Sequence, residues 1–290
     1  MGKVLVKTLS SNRNRSAVRR AVALLAVAFL TAGVAGCDNA DDEQTDSLEG
    51  MTSTIDYEDG SIETPGRQLT LTWDEETTIG YANSIASSKC ADKQGIEYSP
   101  YDRRNEISEK AYTDIGVWSP TLAAKYGYDS LPDTEAKDNV TSEQLSEDDI
   151  AILRDCATSD PSVKQFSEVE NEFANEIQPT LVDNTVVNDE AREEIRQTWV
   201  GCMDSNGIKI DGEGFIPSGV STMDEEEAIK TALKDVDCKE STKFVDAWAA
   251  NLWEEQKQYV TKHASEYQEF RSRAVPVLED ARQVIKSYEG

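Results

Sequence analysis

Residues 244–288 read FVDAWAANLWEEQKQYVTKHASEYQEFRSRAVPVLEDARQVIKSY, and this stretch decides the fold. Phe244, Trp248, Leu252, Tyr259, His263, Tyr267, Phe270, Leu278, Ala281, Ile285 and Tyr288 hold a 3.6-type rhythm, one apolar stripe along a long helix. Only Pro276 interrupts it, and a kink or break is expected there because proline lacks the N–H that continues the ladder. A helix of this length needs a partner to bury its stripe, so antiparallel pairing with another long helix is expected.

The same rhythm recurs upstream. Thr72 or Asp74 caps a helix from about Glu75 to Lys93, with Ile79, Ala82, Ile85, Ala86 and Cys90 on one face. Ser142 or Ser146 starts a short one ending near Cys156, and Asp160-Pro161 restarts the chain with proline at the first helical position. Val163, Phe166, Val169, Phe173 and Ile177 then form an amphipathic stripe that pauses near Pro179. Asn188 or Asp189 caps the next helix, with Ala191, Ile195, Trp199 and Cys202 in line. Thr222 with Glu225 makes a capping box for a helix reaching about Cys238. The fold class is all-α, an antiparallel helical bundle with a long C-terminal helix.

Residues 101–142 lack this regularity and carry Tyr101, Tyr112, Trp118, Tyr126 and Tyr128. Aromatic side chains on a long loop line a ligand site in some proteins and tuck the loop onto helices in others. Tyr101, Trp118, Tyr126 and Tyr128 are the candidate binding residues. Two helix ends also echo one another: CADKQGIEY from Cys90 and CMDSNGIKI from Cys202. Each places a cysteine in the last turn, a glycine stop five residues later and a short extended exit. The echo divides the helical domain, 69–290, into related halves of about 72–187 and 188–290.

The N-terminus has another character. Lys3, Lys7, Arg13, Arg15, Arg19 and Arg20 precede the apolar run Ala21–Ala35, which is too short for a spanning helix and fits a signal peptide. Val34-Ala35-Gly36-Cys37 at its end resembles the lipobox of bacterial lipoproteins. The resemblance implies cleavage after Gly36, a lipid on Cys37 and anchorage on the outer side of a cell membrane. Residues 37–68 are acidic and polar, and are expected to form a disordered tether.

Removing residues 1–36 takes six of the 29 basic residues and none of the 56 acidic ones, leaving 23 against 56 and a formal charge of −33. Such a surface repels phosphate, which argues against nucleic acid as a partner. It attracts cations, basic peptides or a basic protein. Besides Cys37, the cysteines are Cys90, Cys156, Cys202 and Cys238, an even number that in an exported protein points to two disulfides. Three connectivities are open, and pairing in sequence order would give each half one staple.

The spaced motifs also resemble a group of secreted or lipid-anchored proteins of high-GC Gram-positive bacteria, mostly without assigned function. They are Cys90 to Gly95, Tyr126-Gly127, Cys156, Trp199 to Gly207, and Ala232-Leu-Lys-Asp235-Val-Asp-Cys238 before the long helix. Asp155 stands where that pattern expects glycine, and Gly207 follows Cys202 by five residues rather than four. The resemblance implies no chemistry.

Nor does a catalytic constellation emerge. His263, the one histidine, lies on the apolar stripe of the long helix. Asp204 to Phe215 superficially resembles a calcium loop, but Ile208 takes position 5 and Phe215 the place of the bidentate glutamate. No metal or cofactor is assigned. The expected function is a membrane-anchored extracellular lipoprotein that binds a small-molecule ligand or an envelope protein, or serves envelope structure. A cell-wall or carbohydrate-acting hydrolase is the alternative.

Overall fold

The computed structural model describes residues 48, 50–129, 131, 145–183 and 185–290. The lipobox, Cys37 and the first part of the expected tether lie outside them. Among the described residues no helix is long and apolar enough to cross a membrane.

The first elements correct the tether. Strands β1 (Thr54–Asp56) and β2 (Ser61–Glu63) pair antiparallel with Ile55 opposite Ile62, and helix α1 (Pro65–Leu69) follows. The segment 37–68 is therefore folded from about Leu48 onward, where Leu48 is itself buried. Its apolar residues are too sparse to form a core alone, but Ile55 and Ile62 pack against a cluster built by later helices. The Ser53 hydroxyl donates to the Ala249 carbonyl at 2.9 Å, a tie across 196 residues.

Helix α2 (Trp73–Lys93) starts on a capping box between Thr72 and Glu75. Short helices α3 (Ile107–Lys110) and α4 (Pro120–Tyr126) interrupt the aromatic loop. Helix α5 (Glu147–Ser159) carries Cys156, and α6 (Pro161–Glu172) begins at the expected proline. The stripe does not stop before Pro179. A π turn, Phe173–Ile177, leads into α7 (Gln178–Asp183), and the wider turn takes up the local misfit around a residue without an N–H. Helix α8 (Asp189–Ser205) is capped by Asn188, and α9 (Glu225–Ser241) by Asp224 rather than Thr222.

The C-terminal stripe is two helices, α10 (Phe244–Lys262) and α11 (Ala264–Glu289). The break falls at His263, whose N–H donates to the Tyr259 and Val260 carbonyls and whose ring stacks on Tyr259. Helix α11 runs on through Pro276. Both Pro276 and Ser272, whose carbonyl loses its partner, are exposed, so water can take the freed bond.

Disulfides join Cys90 to Cys156 and Cys202 to Cys238, staples of the same kind in two similar units. In each, a helix ends at a left-handed glycine, Gly95 or Gly207, with the following isoleucine N–H reaching five residues back to Ala91 or Met203. A disulfide ties that end to the last turns of the next long helix, α5 or α9, and a third helix returns antiparallel to the first. Lys93–Asp160 and Asn83–Glu170 set α6 against α2, while Arg192–Glu255 and the Trp199–Phe244 ring contact set α10 against α8. The cores, however, do not divide at 187/188. Helix α11 packs into the first unit, placing Phe270, Ala274, Leu278 and Ile285 among Ile79, Ile85, Phe166 and Phe173. Arg271 fixes it there, donating to Glu75 and to the Thr70 carbonyl.

Buried Glu255 of α10 ties the second unit together. It accepts from the Arg192 Nε at 2.8 Å, from the Asn251 amide at 2.7 Å and from the Asn188 N–H at 2.9 Å. Burial alone would raise its pKa, but these donors, Arg192 first, hold it below the ordinary 4.5. The stabilisation is therefore present above pH 4.5 and lost as pH falls below it. Glu255→Gln should cost about 2 kcal/mol at pH 7 in urea unfolding, and the gap to the parent should narrow progressively as the pH falls below 4.5. A gap independent of pH would show that the charge is not what acts.

Candidate functional site

Ala232, Asp235, Val236 and Lys239 recur at three- and four-residue steps on the inner face of α9. Two of them are charged, and both are buried, Asp235 at 0% and Lys239 at 1% exposure. The Lys239 ammonium lies 3.1 Å from Asp235 Oδ1 and donates to the carbonyls of Ile115 at 2.8 Å and Val117 at 2.7 Å. All three of its protons are thereby used. Asp235 also accepts from Trp199 Nε1 at 2.7 Å and from the Tyr128 hydroxyl at 3.0 Å. Burial pushes the carboxyl up and the ammonium down from their ordinary values, and the mutual attraction opposes both shifts. The ammonium donors are all matched, and the carboxylate accepts on both of its oxygens.

This cluster positions the aromatic loop. Lys239 grips the carbonyls on either side of Gly116, a left-handed residue at φ +71. A Cβ on Gly116 would lie inside van der Waals contact with the Phe215 carbonyl oxygen. The second loop can therefore close against the first only because residue 116 has no side chain. Phe215 continues into a ring cluster, 5.8 Å from Trp199, 5.8 Å from Phe244 and 5.2 Å from Trp248. The residue that spoiled the calcium-loop pattern is thus a core side chain. Arg196 holds the same loop by donating to the carbonyls of Gly212 and Gly214.

Between the two loops lies a cleft of about 360 Å³, walled by Tyr112, Trp118, Leu122, Tyr128, Asp129 and Ile216. It shares Tyr128, Asp129 and Ile216 with a second hollow of about 520 Å³, bordered by Tyr126, Val220, Met223, Glu225 and Ala228. The polar ends of the wall aromatics are committed to the fold. Trp118 Nε1 donates to the Tyr112 carbonyl at 2.7 Å, Trp248 Nε1 donates to the Tyr112 hydroxyl at 3.2 Å, and Tyr128 is bound to Asp235. Burial pushes the Tyr112 phenol up to about 12, and burial with the neighbouring Asp235 raises Tyr128 further. What remains for the cleft is ring and alkyl surface in about equal share with polar backbone and side-chain surface, Asp129 included. A larger trough of about 780 Å³ runs between residues 50–55 and α10, but it gathers none of the loop aromatics.

Of the expected binding residues, Trp118 and Tyr128 meet in the cleft and Tyr126 borders its extension. Tyr101 does not join them. Its N–H donates to Ser84 on α2 and its hydroxyl to buried Glu106, which fastens the loop to the first unit. Tyr112 was legible as a loop aromatic, whereas Ile216 and Lys239 were missed. A charged i,i+4 pair on the apolar stripe of Ala232 and Val236 was the available signal. Comparison with models of known protein families, with curated proteins and with solved structures finds no match to this chain.

Lys239→Met leaves Asp235 buried without its cation and should destabilise the protein by about 3–5 kcal/mol. Adding Asp235→Asn should recover more than half of that loss in the same chemical denaturation, since the uncompensated charge is the larger part of it. Gly116→Ala should cost about 2 kcal/mol or more through the left-handed backbone and the Phe215 contact. A near-neutral Gly116→Ala would mean that the two loops do not meet as described.

Proposed function

We propose that this chain is a lipid-anchored protein of the outer membrane face, and that its folded domain binds a small ligand with an apolar body in the 112–129/216 cleft. The anchorage reading rests on the basic leader, the short apolar run and the lipobox-like Val34-Ala35-Gly36-Cys37. It agrees with two disulfides, which persist outside the reducing cytosol. The binding reading rests on one observation: the cleft is walled by aromatic rings whose polar atoms already serve the fold. A site of this size, with fixed aromatic walls and an evenly mixed polar and apolar lining, suits recognition by shape and ring contact.

Hydrolysis is the weaker reading. Two acids are raised by burial, Asp235 and Glu170. Asp235 is saturated by Trp199, Tyr128 and Lys239, and Glu170 accepts from Asn83 between α2 and α6. Neither lines the cleft.

Two experiments test the proposal. Intact mass spectrometry of the native protein should show a chain beginning at Cys37 with a diacylglyceryl adduct, and a mature chain without lipid would refute the anchorage. For the cleft, neutral 1-naphthalenemethanol is titrated into the chain carrying Cys37→Ser, followed by NMR shifts. Saturable one-site binding is expected. Ile216→Asp, at a position 56% exposed and so tolerant of change, should weaken it about ten-fold. Unsaturable shifts, or binding indifferent to Ile216→Asp, would exclude this cleft.

A further inference from the structure

Among the described residues the cleft and its extension are lined by acids and by no base, with Lys125 at the rim against Tyr126. The charged lining residues are Asp129, which borders both hollows, and Glu225, which borders the extension alone, and both are exposed. Glu225 opens α9, whose N-terminus would by itself favour an anion. That end is already occupied. The Asp224 side chain accepts from the Glu227 N–H, and Glu225, Glu226 and Glu227 fill the first turn, so the net field there is negative.

A nearby lysine indicates what the rings accept. Exposed Lys125 carries its ammonium 4.9 Å from the centroid of Tyr126, an aromatic residue of the extension. Ring faces attract ammonium groups through their quadrupole. Inside the protein, Lys239 makes the same contact at 5.0 Å with Trp199. From these observations, and resting on the binding reading above, we infer that the cleft selects a cationic amphiphile. Its apolar ring or short alkyl body lies between Trp118 and Ile216, and its amino group lies toward Asp129, Glu225 and the tyrosine faces.

The test uses one ring with three charges: 1-naphthylmethylamine, 1-naphthalenemethanol and 1-naphthoate, titrated at constant ionic strength into the Cys37→Ser chain. The amine should bind about ten-fold tighter than the carboxylate, with the alcohol between them. Asp129→Asn with Glu225→Gln should remove most of this preference, read as the ratio of amine to carboxylate affinity. Glu97→Gln with Glu194→Gln alters the net charge equally at exposed positions outside the cleft, and should leave the preference intact. If the alcohol does not bind, the binding reading itself fails. If the alcohol binds but amine and carboxylate are equal, or if both double variants act alike, the cleft exists without this selectivity and the inference is overturned.

Discussion

The buried Asp235–Lys239 pair is the interaction on which the site depends. Moving an ammonium and a carboxylate out of water costs several kcal/mol per ion, and their attraction alone rarely repays it. Here the remaining valences are filled by two loop carbonyls, an indole and a phenol. Those four groups come from the aromatic loop and from α8, so one turn of α9 sets the position of three chain segments. The loop around Gly116 has no strand or helix to satisfy its carbonyls, and the lysine supplies that satisfaction directly. Apolar replacements could fill the same volume with no loss of stability, but would leave the loop without a register. The pair acts here as a specificity device.

The same logic extends to the architecture. Each unit of helix, disulfide and returning helix buries only part of its apolar surface. The first is completed by α11, a helix of the C-terminal segment, and the second by α4 and the 112–118 loop from the N-terminal segment. Gly127, left-handed at φ +59, brings α4 so close to α9 that a Cβ would sit 3.2 Å from the Ile229 nitrogen. This exchange of elements ties the two units to one another although the sequence repeats. It also explains where the cleft lies: at the seam where the borrowed loop meets the second unit.

What the sequence disclosed follows from the range of the interactions. Helix existence, the capping box at Thr72, the proline start at Pro161 and the glycine stops at Gly95 and Gly207 are encoded within a few residues, and were readable. The aromatic loop was readable as unusual, and Trp118, Tyr126 and Tyr128 do gather at one place. The hairpin at 54–63 was not, because Ile55 and Ile62 gain their partners from a cluster whose buried members, Ile115 to Trp248, lie far along the chain. The break at His263 was hidden by a stripe that keeps its phase across the joint. Tyr101 was misgrouped because its neighbour in space, Glu106, lies in the same loop, and no periodicity reports on that.

The distribution of charge links fold and site. Acids outnumber bases about two to one, and several of the cations serve as ties between elements. Arg271 joins α11 to α2, Arg192 joins α8 to α10, Arg196 holds the 212–214 loop and Lys239 holds the aromatic loop. These cations are themselves paired with acids, and the exterior field is negative because the remaining acids outnumber the bases. A general field of that kind attracts any cation and is screened within about 8 Å at physiological salt. The cleft and its extension differ because Asp129 and Glu225 line them together with ring faces, and no cation lines them among the described residues. Attraction from the surface becomes selection only where an apolar body can also be buried, and among the loop aromatics that place is the seam held by Lys239.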